Sequence, residues 1–154
     1  MKRSTPLKRT AFKRKPAKPK KKRRARLPSR KALVASLDRL TSLIVRSRDG
    51  RCVLCHSTER LQCGHILGRR SHGARWDIHP GGNTAAQCSN CNIKHNSHQW
   101  IFYSWYIDNY GRAAFDSLYR RWSAGHKYSR MELIALVTEY KVKLESAGAD
   151  GGET

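Results

Sequence analysis

The chain has 154 residues, 32 of them Lys or Arg against 11 Asp or Glu, with a formal net charge of +21 and an isoelectric point near 10.5. That excess calls for a polyanionic partner, and 38% hydrophobic with 8% aromatic content suffices for one modest core, not two. No run approaches the ~20 apolar residues of a membrane span, and the basic N-terminus lacks the apolar run of a secretory signal, so a reducing cytoplasm is expected.

Residues 1–31 hold half of the 32 basic residues, no acid, and Pro6, Pro16, Pro19 and Pro28. Mutual repulsion and the missing proline donors predict a disordered arm over 1–28, able to contact phosphates without sequence preference. A solubilising tail is the plainer reading, and Lys18 to Arg24 also has the form of a nuclear import signal.

From Ser29, Leu33, Leu37, Leu40 and Ile44 recur at helical spacing, with Asp49-Gly50 as a stop. Between Arg51 and Gln87 the chain is rich in Gly, His and Cys, with short apolar pieces at Val53-Leu54, Leu61 and Ile66-Leu67, which fits short strands and loops. After Cys88 a helical pattern returns, with Trp100, Tyr103, Ile107 and Tyr110 on one stripe, widened by Phe102, Trp105 and Tyr106. One helix face is a better use of this stripe than a base-stacking platform, because the chain has few other large apolar groups. Arg112 to Trp122 predicts a further helix, and Ser129 to Glu132 has the form of a capping box opening a last one, whose Leu133, Val137, Tyr140 and Leu144 share a face. Residues 147–154 are small and polar, and a flexible tail is expected there.

Four of the five cysteines form two Cys-x-x-Cys pairs, Cys52 with Cys55 and Cys88 with Cys91. Each pair can grip a metal ion from a tight turn, and four thiolates suit Zn²⁺ in a closed, structural site. An iron–sulfur cluster would use the same ligands. The ion would staple the ends of a long loop, fixing what lies inside. Cys63, the odd one, reads as a small buried hydrophobe.

Inside the staple stand Cys63-Gly64-His65-Ile66 and Gly82-Asn83, with Asn92 directly after the last zinc cysteine. The Cys-x-x-Cys hairpin, the Gly-His step, Asn83 nine residues before Asn92 and the Cys88-Ser89-Asn90-Cys91-Asn92 junction together resemble an HNH nuclease, the ββα-metal fold. The likeness is closer still to the phage recombination family NinG, or Rap, over about Pro28 to Leu144, through Arg48-Asp49, Ala74-Arg75-Trp76 and Gln87-Cys88. The resemblance implies an α+β protein: a small zinc-stapled ββα-metal nuclease core over 29–146 with flanking helices behind the basic arm. The implied activity is a metal-dependent DNA endonuclease, directed in NinG's case at branched recombination intermediates.

Phosphodiester hydrolysis needs a base for water and a cation for the charge that accumulates on the phosphate and departing oxygens. His65 is the candidate base, its Nδ1 fixed by a backbone or amide acceptor. By resemblance Asn83 orients the His65 loop and Asn92 ligates Mg²⁺ or another hard divalent ion. Many HNH enzymes carry a metal-binding Asp just before the histidine, where this chain has Gly64. Asp77, His79 and His95 are the candidate replacements, His95 favoured because it falls about one helical turn beyond Asn92. Arg69, Arg70, Arg75 and Lys94 are candidate phosphate contacts, with a solvated surface the plainer reading for them. His56, His72, His98 and His126 are assigned no role. The competing functions are a noncatalytic zinc-stabilised DNA-binding or adaptor protein, for which Gly64 argues, and RNA binding.

Overall fold

A computed structural model describes residues 26–149. The expected basic arm falls outside these residues except at its last positions, as does the end of the expected tail. The described chain is α+β: five helices and a two-stranded antiparallel sheet. Among the described residues no helix is long and apolar enough to cross a membrane.

Helix α1 spans Arg30–Asp49 and buries the expected stripe Leu33, Leu37, Leu40 and Ile44. Ser29 caps it, its Oγ accepting from Ala32 N at 3.2 Å, a contribution of about 1 kcal/mol. Gly50 ends it in the left-handed region (φ 64°), which a residue with a Cβ enters only at a cost.

Strands β1 (Leu61–His65) and β2 (Thr84–Cys88) pair with Gln62 opposite Gln87, Gly64 opposite Ala85 and His65 opposite Thr84. Ile66-Leu67 lies just beyond β1, and Val53-Leu54 forms a turn instead of a strand. Side chains alternate across the sheet. Ala86 joins the cluster of α1, Trp76, Ile78, Leu133 and Tyr140 on one face, and Ala85 joins Ile66, Leu67, Phe102, Tyr106 and Leu118 on the other. The outer edge of β2 is covered: Ala86 accepts from Val53 N at 2.9 Å, and its own N–H donates to Asp49 Oδ2 at 2.7 Å. Arg48 pairs with Asp49 and donates to the carbonyls of Ile78 and Thr84, so the C-terminal end of α1 grips the strand.

The pattern after Cys88 divides into α2 (Ser89–Ser97) and α3 (Gln99–Tyr110), broken at His98, where Asn96, Ser97 and His98 are all weak helix formers. Within α3 the apolar and aromatic positions run from Trp100 to Ile107 with only Ser104 between them, so more than one face is apolar. Phe102 and Tyr106 are buried, while Trp100 is 64% exposed and Tyr110 is also exposed, so the inward face is not the one expected. Helix α4 (Arg112–Ala124) follows, and α5 (Arg130–Ala149) packs Leu133 and Tyr140 on α1. The capping box forms in both directions: Ser129 N donates to Glu132 Oε2 at 2.6 Å, and Glu132 N to Ser129 Oγ at 3.2 Å. The backbone of α5 runs past the expected domain end at 146.

Candidate metal centre and cleft

The Sγ atoms of Cys52, Cys55, Cys88 and Cys91 all lie within 4.8 Å of one another, close enough to bind a metal such as zinc. Cys55 and Cys88 sulfurs are 3.6 Å apart, too far for a disulfide and near the ~3.8 Å edge of a tetrahedron with 2.3 Å Zn–S bonds. Burial opposes ionisation of Cys52, yet backbone N–H groups of Cys88, Cys55 and Leu54 lower its pKa to about 7, while burial and the adjoining sulfurs push the Cys91 thiol up, so the proton is shared unevenly among the crowded thiols. Cys88 ends β2 and is also the N-cap of α2, its sulfur accepting from Cys91 N at 3.5 Å. Cys63 stands apart from the cluster among apolar neighbours, and burial pushes its thiol up to about 12.

A cleft of about 410 Å³ runs along β1 between α1 and α2, lined by Asp38, Gln62, His65, Arg69, Asn92 and His95 among others. The candidate base and both candidate ion ligands therefore meet in one space. His65 Nε2 lies 3.1 Å from the Arg75 carbonyl. A carbonyl only accepts, so Nε2 carries the proton and Nδ1 keeps its lone pair, the reverse of the expected assignment. Burial, assisted by the Arg69 cation, lowers the His65 pKa to about 4, so the ring is neutral at pH 7.

Asn83 is buried in a bond pair with the backbone of Leu67, its Oδ1 accepting from Leu67 N at 2.7 Å and its Nδ2 donating to Leu67 O at 2.9 Å. It pins the chain leaving β1, a positioning task and not contact with a substrate. Asn92 Nδ2 donates to Gln62 Oε1 at 2.7 Å. His95 is buried, its ring edge on Phe102 at 4.7 Å, with Nδ1 lacking a partner, and burial lowers its pKa.

Three expectations change. Arg75 is not available for phosphate: its guanidinium pairs with Asp38 at 2.9 and 2.6 Å and donates to Arg69 O at 3.2 Å. Asp77 and His79 do not line the cleft, Asp77 being held instead by Arg121 at 2.9 Å. Arg69 is exposed at the cleft, whereas Arg70 and Lys94 are exposed but outside its lining.

Asp38 and Gln62 are relevant residues that the sequence did not single out, and Gln87 stands out in it only as part of the family likeness. The only signal for Asp38 is an acid beside the apolar stripe of α1. For Gln87 it is a polar residue in a strand otherwise made of small side chains. The bareness of Gly64 has a local cause, since a Cβ there would lie 2.3 Å from Gln87 Oε1.

The family model described as Bacteriophage Lambda NinG protein matches residues 1–149. Neither a comparison with curated proteins nor one with solved structures returns a match.

Proposed function

The chain belongs to the NinG family, and from that premise we propose that it is an HNH-type DNA endonuclease dependent on a divalent ion. The observation that carries the reading is the convergence of His65, Asn92 and His95 on one cleft beside a four-cysteine cluster.

In this reading Cys52, Cys55, Cys88 and Cys91 hold a structural zinc, which keeps β2 and α2 in fixed relation. His65 Nδ1 takes a proton from the attacking water, and the Arg75 carbonyl holds the imidazole by its protonated Nε2. Asn83 fixes the chain that follows His65. Arg69, exposed at the cleft, contacts a flanking phosphate. Asn92 and His95 offer an amide oxygen and an imidazole nitrogen to the divalent ion. When bound, that ion neutralises charge on the phosphate and the departing 3′ oxygen. The net charge of +21 supplies attraction to DNA without sequence preference. Branched recombination intermediates are the proposed substrates, by family likeness.

The fit to a hard cation is incomplete, because Asp38, a carboxylate lining the cleft, is bound to Arg75 and Trp76. That observation favours a second reading, a zinc-stabilised DNA-binding or adaptor protein without cleavage. Plasmid, duplex and four-way-junction DNA incubated with Mg²⁺, Mn²⁺ or Ni²⁺ separates the two. Wild type is expected to nick, and His65→Ala to bind DNA equally while losing about 10²-fold or more in rate. No cleavage by wild type with any of the three ions selects the adaptor.

A further inference from the structure

The aromatic stripe as a whole is core, yet one member is left out of it. Tyr103 and Trp105 pack against the cluster around Phe102 and Tyr106, whereas Trp100, in the first turn of α3, is 64% exposed. Trp76, Trp105 and Trp122 each lie against another ring, and Trp100 has no ring neighbour among the described residues. A single exposed apolar side chain is ordinary on a protein surface. Trp100 differs in its place. It follows Gln99, which lines the cleft, and Ile93, 65% exposed, follows Asn92, which lines it too. Large apolar groups therefore border the polar lining that α2 and the start of α3 give to the cleft.

Charge on this side favours a polyanion. No Asp or Glu occurs between Asp77 and Asp108, so α2 and the first two turns of α3 carry none, while Lys94 is exposed next to Ile93. A DNA strand with a phosphate in the cleft would meet Trp100 within about one or two nucleotides, since Trp100 is a single Cα step from Gln99 and a strand advances about 3.4 Å per nucleotide. Inside a continuous duplex both faces of a base are covered by its neighbours, so only an unpaired or branch-point base can offer one to an indole. We propose that Trp100 stacks on an unpaired base of the DNA held in the cleft, and that this contact separates branched or interrupted DNA from continuous duplex. The inference rests on the reading of a DNA-binding cleft and is independent of cleavage.

Two probes, used with the full zinc-loaded chain and no added Mg²⁺, test it: a duplex carrying 2-aminopurine as a single bulged base, and the same duplex without the bulge. Wild type should bind the bulged duplex more tightly and quench its fluorescence. Trp100→Ala should lose roughly five- to 150-fold in affinity for the bulged duplex, stay within about twofold on the continuous one, and abolish the quenching. Trp100→Phe should keep most of the preference, and the salt dependence of binding should be alike in all three, because stacking neutralises no phosphate. Equal losses on both probes, or no loss on either, overturn the assignment and leave the DNA reading standing. Conversion of a wild-type dimer to a monomer by Trp100→Ala in sedimentation would give the indole to a second copy of the chain, and overturns it as well. Failure of wild type to bind either duplex removes the DNA reading and the stacking contact together.

Discussion

The Arg75 guanidinium closes on the Asp38 carboxylate with two bonds, at 2.9 and 2.6 Å, and the same carboxylate accepts from Trp76 Nε1 at 2.8 Å. This joins the middle of α1 to the loop between the strands. Because the Arg75 carbonyl holds His65 Nε2, the orientation of the imidazole depends on a carboxylate in a different element.

Asp38→Ala should therefore lower stability by about 2–3 kcal/mol, since it leaves a half-buried guanidinium without its partner. It should also slow cleavage more than it weakens DNA binding. Urea titration gives the first, and single-turnover rates beside gel-shift affinities give the second. Equal losses in rate and affinity would show that Asp38 acts on binding alone.

The acid response of His65 has a definite sign. Its pKa falls on folding from 6.5 to about 4, so the unfolded chain binds more protons between those values. Stability from this group is whole above about pH 6.5 and is lost as pH drops towards 4, by about 3 kcal/mol in all. Urea midpoints measured from pH 7 to 4.5 should decline more steeply for wild type than for His65→Gln. Titration of the His65 ring in NMR spectra near 6.5 would contradict the expected behaviour.

The five thiols should divide cleanly. Cys52→Ser, or exposure to a strong chelator, is expected to release zinc and abolish cooperative unfolding, whereas Cys63→Ala should retain one zinc per chain. Metal content by mass spectrometry and thermal melts check both. Loss of zinc from Cys63→Ala would place that sulfur in the centre.

The aromatic helix offers a contrast of packing. Phe102→Ala should cost about 3–5 kcal/mol, because its ring is fully enclosed. Trp100→Ala, at an exposed position, should change stability by about 0.5 kcal/mol or less. Denaturant midpoints of the two variants show which face of α3 points inward.

Helix α1 was legible because Leu33, Leu37, Leu40 and Ile44 repeat at a period that only a helix gives, and the cysteine tetrad because its paired spacing has few other uses. The sequence also placed His65 and Asn92 in one neighbourhood, and His95 with them. Strand β2 was not legible as such: Thr84, Ala85, Ala86 and Gln87 carry no apolar alternation, because both faces of the strand are covered and small residues suffice there. The inward face of α3 escaped because Trp100 to Ile107 is apolar or aromatic at every position but Ser104, so spacing alone does not choose a stripe. The pairing of Arg75 with Asp38 was invisible for a different reason, since partners 37 residues apart are joined only by the fold.

Residue 88 closes a strand, opens a helix with its side chain and contributes a sulfur to the cluster. Serine would keep the cap but forfeit the soft donor, and valine would suit the strand but forfeit both. A saturation screen scored on survival of fold should accept nothing but cysteine at 88, while Cys55, exposed and in no strand or helix, should tolerate histidine. Selection at a single codon would then act on three layers of the architecture at once.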